Sequence, residues 1–363
     1  MRVINADPFG DERWERYVTA HPASLVYHRA GWLRVLESDY RGRLHCLLCE
    51  DDAGDVAGVL PLGHVRGLPL PPRGGVGARL VSLPRSPSGG PLASTPEAAT
   101  ALADAAVARA DELGVPLVLK APPSLGAGLS GGLTAVPGDT SYVLALPDRP
   151  EDLRFGNARQ HGAIRRAVAK AAKLGVEVRA ADDPSDLRAW YRLYLETMRR
   201  HVVPPRPYRF FRAMWDVLRP AGMMELLLAE DRSAQPARLL AGCILLTSGP
   251  TVVFGFNGRR ESALEARPNE AIHWHAIHEA TRRGSRYYDF GEVEDGNPGL
   301  AQFKLKWGAE PRRLYRYEHP HVEAAATSRS AVVERATRRA RTAWQRVPLG
   351  VTARLADVLY RYV

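Results

Sequence analysis

Cysteine is scarce, with three in 363 residues. That fits a reducing compartment and leaves no disulfide framework to organise the chain. Cys46 and Cys49 form a C-x-x-C pair, but within Leu44-His45-Cys46-Leu47-Leu48-Cys49, which reads as a strand. Residues three apart on a strand point to opposite faces, and no second pair follows, so no zinc site is expected. Long apolar runs are also missing. None reaches 18 residues, so no membrane-spanning helix is expected. The opening segment, Met1 to Tyr17, has early acids and no apolar stretch, which argues against a secretory signal and for the cytoplasm. There is no G-x-S-x-G elbow, Walker loop or dinucleotide fingerprint. Arg73-Gly74-Gly75-Val76-Gly77 is Gly-rich but lacks a strand-to-helix setting, so it reads as a loop.

What the chain has is positive charge, +10 in all. That favours an anionic partner such as phosphate, nucleic acid or a membrane surface, without choosing among them. Eight Arg against three acids in residues 321–363 contribute half of it. There Val332, Val333, Ala336, Ala340, Trp344 and Val347 give an apolar stripe edged by arginines. Such a helix either lies on anionic lipid or packs on the body of the protein.

Hydrophobic residues make up 45%, enough for two cores. Strands are expected near 43–49, 56–65, 115–120, 141–146, 176–179, 223–230, 238–247, 251–256, 287–290 and 313–318. Helices are expected near 14–21, 94–114, 152–174, 183–201, 208–218 and 268–283. The helix over 152–174 is strongly basic, with Arg154, Arg159, Arg165, Arg166, Lys170 and Lys173. The Gly/Pro-rich stretch 121–139 reads as a boundary, which divides the chain into 1–138, 139–320 and the tail 321–363. The mixture of elements predicts an α/β (α+β) fold with mixed twisted sheets flanked by helices.

Two segments carry the chemistry. Tyr288-Asp289-Phe290-Gly291 is a strand ending in Gly, where backbone can approach a ligand or simply turn. After a turn at Asn297-Pro298-Gly299 comes Phe303-Lys304-Leu305-Lys306-Trp307-Gly308. Its two lysines suit phosphate or a developing oxyanion, and its aromatics either stack on a ligand or pack under the sheet. His273, His275 and His278 share a helix but fall on different faces, so no metal site is expected.

The stretch from Ser141 to Tyr317 resembles the FemAB-like branch of the GNAT superfamily. The matching features are Lys173-Leu174-Gly175-Val176, Tyr194-Leu195-Glu196-Thr197 with Arg200, Pro205-x-Pro207, Phe210-Phe211 and Ile272-x-Trp274-x-Ala276-Ile277. The most specific is Asp289-Phe290-Gly291 with Phe303-Lys304-x-x-Trp307-Gly308-Ala309-x-Pro311. The first part is similar more weakly, through Tyr27-His28-x-x-x-Trp32 and Ser88-Gly89-Gly90-Pro91.

The resemblance implies tandem GNAT-like domains, and amide formation with aminoacyl-tRNA as donor and a peptidoglycan precursor as acceptor. It implies Lys304 near the transferred acyl group with Phe303 beside it, and Arg200 and Tyr208 against an anionic acceptor. Asp289 or Glu292 is the candidate proton acceptor, with relay through the vicinal hydroxyl of the tRNA as the alternative. Gly291, Lys306 and Trp307 complete the expected binding residues. No cofactor is expected. The step Glu265-Ala266-Arg267-Pro268-Asn269-Glu270-Ala271 has no glycine and loses an amide at Pro268, which disfavours the pyrophosphate of acyl-CoA. N-acyl transfer from acyl-CoA or an acyl carrier protein, and a non-catalytic scaffold binding membrane or nucleic acid, are the competing functions. Peripheral contact with the inner membrane face through the tail is the further expectation.

Overall fold

The fold is known from a computed structural model, which describes residues 1–40, 44–67, 78–121, 129, 132–320, 344 and 347–359. The Gly-rich loop at 73–77 and most of the basic tail lie outside the described residues. No described helix is long and apolar enough to cross a membrane.

The first half contains β1 (Arg2–Asn5), α1 (Glu12–Ala20), α2 (Ala30–Tyr40), β2 (Leu44–Glu50), β3 (Val56–Val65), β4 (Arg79–Val81), β5 (Leu92–Ala93), α3 (Pro96–Leu113) and β6 (Leu117–Ala121). Then come β7 (Thr134–Ala145), α4 (Ala158–Lys173), β8 (Val176–Ala180), α5 (Pro184–His201), α6 (Tyr208–Val217), β9 (Met224–Asp231), β10 (Arg238–Ser248) and β11 (Thr251–Arg259). The chain continues through α7 (Pro268–Arg282), β12 (Tyr287–Val293), α8 (Pro298–Lys306), β13 (Glu310–His319) and α9 (Leu349–Leu359).

The strands join one mixed sheet in the order β1-β2-β3-β4-β6-β13-β7-β12-β11-β10-β9-β8, with β5 on β3. This is the expected α/β architecture, carried by a single sheet. On one face, α1 and α2 from the first half meet α5 and α6 from the second in a shared core around Trp14, Trp32, Trp190 and Phe210. On the other face, α3 covers the first half and α4 and α7 cover the second, around Phe155, Tyr288 and Trp307. Cys46 and Cys49 fall into cores on opposite faces, as the strand period requires.

Local chemistry explains most boundaries. Thr95 caps α3 by accepting from the Ala98 amide, Pro96 fills its first turn and left-handed Gly114 ends it. Three expectations need correction, and some elements carried none. Residues 134–140 belong to β7, a strand lengthened by pairing with both β12 and β13, so the division at 138 falls inside it. The basic helix starts at Ala158, where Asn157 and Gln160 form a capping box, rather than at 152. Asn297-Pro298-Gly299 opens a helix instead of making a turn: Asn297 accepts from the Leu300 amide at 3.3 Å. Finally, α2 and β1 carried no expectation, yet α2 packs on α6 and links the halves.

Candidate active site

The site forms where the sheet opens. Parallel strands β11 and β12 pair only over Thr251–Val253 and Tyr287–Asp289. Beyond that β12 pairs with β7 alone, through a bulge between Asp289 and Glu292 that includes left-handed Gly291 (φ 80). Tyr288 and Phe290 point into the α4–α7 core, so the sheet period sends Asp289 to the other face.

On that face Asp289 lines a cleft of about 730 Å³. Ser141 and Val143 of β7, Thr251 and Arg312 from the second half, and Tyr27, His28, Ser88 and Gly90 from the first complete its walls. Asp289 Oδ1 accepts from Ser141 Oγ at 2.7 Å and from the Gly291 amide at 2.8 Å, so Oδ2 is the oxygen offered to a ligand. Burial raises the Asp289 carboxyl above the usual range, against these two bonds and the charges of Lys304 and Arg312.

From the other face α8 delivers Lys304. Its ammonium donates to the Gly291 carbonyl at 2.8 Å and the Glu292 carbonyl at 3.0 Å, fixing the bulge and leaving one of three N–H groups. The side chain is buried, which lowers its pKa to about 8 despite Asp289 and Glu292 nearby. Desolvation, with Asp139 and Asp289 close by, pushes the Glu292 carboxyl up to about 7, while Lys120 and Lys304 oppose the rise. Glu292 is open to water by surface area, which screens part of this effect.

Three contributors had no role assigned from the sequence. Lys120 of β6 donates to the Ser86 carbonyl at 2.8 Å, and burial lowers its pKa to about 8. Arg206 is buried, donates to the Arg85 carbonyl at 2.8 Å and lies 4.4 Å over the Phe210 ring. Its charge is felt at Lys120 and at Tyr27. His28 accepts from the Leu25 amide at Nδ1, so its Nε2–H donates to the Gly90 carbonyl at 3.1 Å and pins the cleft wall. Burial lowers its pKa to about 4. Tyr27, His28 and Gly90 lie in the first-half motifs of the resemblance. Lys120 has no local signal, and Arg206 stood as the unassigned residue of Pro205-x-Pro207.

Of the expected site residues, the structure brings Asp289, Gly291 and Lys304 together. Phe303 stands 5.5 Å from the His273 ring, with the Lys306 ammonium 4.8 Å over it. Lys306 faces Glu270 at 3.6 Å, and Trp307 is a core residue packed 4.9 Å from Phe155. Arg200 and Tyr208 are not among the residues lining the cleft. The last turn of α5 turns Arg200 toward Glu261, 3.1 Å away, and Tyr208 packs edge-on against Tyr191. Arg206 of the same segment does not line the cleft either, but it is buried and its charge acts on Tyr27 of the cleft wall.

Residues 158–305 match the family model described as Acetyltransferase (GNAT) domain. Over that stretch, less than half of the chain, the sequence is similar to a GNAT domain. Its fold is similar to that of FemX, at 17% identity and a TM-score of 0.67 over 88% of this chain and 98% of that one. It is also similar to the C-terminal domain of a protein assigned as a lysylphosphatidylglycerol synthetase from Agrobacterium fabrum (12% identity, TM-score 0.55, 91% and 94% covered). L-PGS from Bacillus licheniformis is a further likeness (11% identity, TM-score 0.56, 89% and 96% covered). At these identities the likeness is one of fold. No curated protein matches the chain in sequence.

Proposed function

We propose that this protein forms an amide bond by moving an aminoacyl group from the 3′ ester of a charged tRNA to the amine of a small anionic acceptor, such as a cell-wall precursor. The start of α7 carries the choice of donor. An acyl-CoA pyrophosphate needs free amides at such a helix start. Here Pro268 has no N–H, which takes one amide away from that helix start. The buried Glu270 carboxylate stands at the positive end of the helix, 3.5 Å from Arg267 and 3.6 Å from Lys306. An aminoacyl ester needs no phosphate cradle there. The likeness of fold to FemX supports the same reading.

The acceptor enters through the cleft and the donor from the α7–α8 face, meeting at the opening between β11 and β12. The amine attacks the ester carbonyl. A C–N bond forms, and the C–O bond to the ribose breaks. The amine proton passes to the Asp289–Glu292 pair, and the departing ribose oxygen takes up a proton. The ester is already activated, so the protein supplies position and charge: Lys304 stabilises the oxyanion. The test is product mass from mixed charged tRNAs, or from acetyl-CoA, with lipid-linked and soluble cell-wall precursors. A product heavier by an amino acid residue is expected with tRNA alone. Product from acetyl-CoA alone would replace the aminoacyl reading with N-acyl transfer.

A further inference from the structure

Helix α4 displays charge that the proposed chemistry does not use. Arg159, Arg166, Lys170 and Lys173 are exposed, and none forms an ion pair among the described residues. At about 100° per residue they fall within a stripe about 60° wide, opposite the buried Ile164 and Ala171. The helix contains no acid. Lys170 and Lys173 suit its C-terminal end, but Arg159 lies in the first turn, where the helix dipole disfavours a cation. Helix stability therefore does not account for the row. Ala158, Ala163 and Ala169 are short, and the Arg166 guanidinium lies over Gly162, 3.3 Å from where a Cβ would stand, so the row is open to a polyanion backbone.

The row also starts in the right place. A Cβ on Gly308 would lie 2.8 Å from the Gly156 amide nitrogen, so the loop before α4 touches the end of the Lys304 segment. From there the stripe runs about 20 Å outward.

We infer that this face of α4 is the docking surface for the acceptor stem of the donor tRNA, holding its phosphates while the 3′ end reaches the opening beside Lys304. The inference rests on the aminoacyl-tRNA reading of the donor. Phosphates along a stem match a row of unpaired cations, and such contacts position RNA without reading its sequence.

The test is a variant carrying Arg159→Ala, Arg166→Ala, Lys170→Ala and Lys173→Ala, all exposed changes to a good helix former. tRNA affinity is measured by fluorescence anisotropy across a salt series. Turnover is measured with full charged tRNA and with an aminoacylated 3′ fragment too short to reach α4. Expected are at least a tenfold weaker tRNA affinity, a log–log salt slope smaller by about 3, and a raised KM for full tRNA only. Equal affinity and slope in variant and wild type would overturn the inference. So would intact tRNA binding with lost binding to phosphatidylglycerol vesicles, which would make the surface lipid-facing. Wild-type protein that uses neither donor would defeat the donor reading instead, while the binding comparison still decides the role of α4.

Discussion

At Lys304 one side chain has two tasks that pull apart. Its ammonium holds the Gly291 and Glu292 carbonyls, and the proposed reaction needs it charged beside an oxyanion. Burial lowers its pKa from 10.5 to about 8, so it loses that charge in mildly alkaline solution. Between those two values the unfolded chain binds the extra proton, so this group makes stability rise with pH there. Activity moves the other way. With Glu292 pushed up to about 7, kcat/KM rises as that carboxyl ionises and falls as Lys304 deprotonates through about 8. Glu292→Gln should remove the acid limb and leave the alkaline one. An unchanged acid limb would show that Glu292 is not the titrating group. Lys304→Ala should lower kcat at least about a hundredfold, the scale of one lost oxyanion donor. It should cost about 1–3 kcal/mol of stability, because two carbonyls lose their donor. Wild-type turnover with intact tRNA binding in that variant would remove Lys304 from the reaction.

Among the elements, the bulge in β12 couples backbone geometry to chemistry. Gly291 is left-handed, which costs an L-residue about 1–2 kcal/mol. A Cβ there would meet only the Phe254 carbonyl oxygen at 3.6 Å, an ordinary contact. Gly291→Ala should thus act through the backbone, lowering stability by about 1–2 kcal/mol and shifting the carbonyl that holds Lys304. Gly284→Ala is the control. It is also left-handed (φ 77), follows α7 and has nothing within 4 Å of an added Cβ. Both variants should melt earlier in a thermal scan, and only Gly291→Ala should lower kcat. Equal losses of kcat would mean that the bulge is scaffold.

The same elements show what was legible beforehand. The strand at Tyr287–Phe290 was readable from local signals, but Gly291 was misread as its end: β12 runs on to Val293 through a bulge that only its pairing with β7 reveals. The setting of Lys304 was misread because Asn-Pro-Gly serves a turn and a helix cap equally well, and only packing chooses between them. Arg206 and Lys120 had no local mark. Their charges act on Tyr27 and Glu292 through the packing of α6 on α2 and the entry of β6 into the common sheet, contacts that no spacing along the chain encodes.

For the whole molecule, strand exchange decides how the halves depend on each other. β13 comes from the end of the second half, yet it lies between β6 and β7 and bonds to both. The shared core of α1, α2, α5 and α6 then closes one face across the junction. The cleft has walls from both halves, so it exists only when they are joined. Physically the two halves should unfold together, since separating them would break a central strand and expose the Trp32–Phe210 contact, with rings 6.0 Å apart. Truncation tests this cleanly. A chain ending at residue 320 keeps β13 and loses α9, whose Leu349 and Ala353 only edge the core. It should fold and melt in one transition, somewhat below the full chain. A chain ending at residue 309 loses the strand that joins β6 to β7, and should lack a cooperative melt by circular dichroism. Two separate transitions in the full chain, or equal melting of the two truncations, would show instead that each half holds its own sheet without β13.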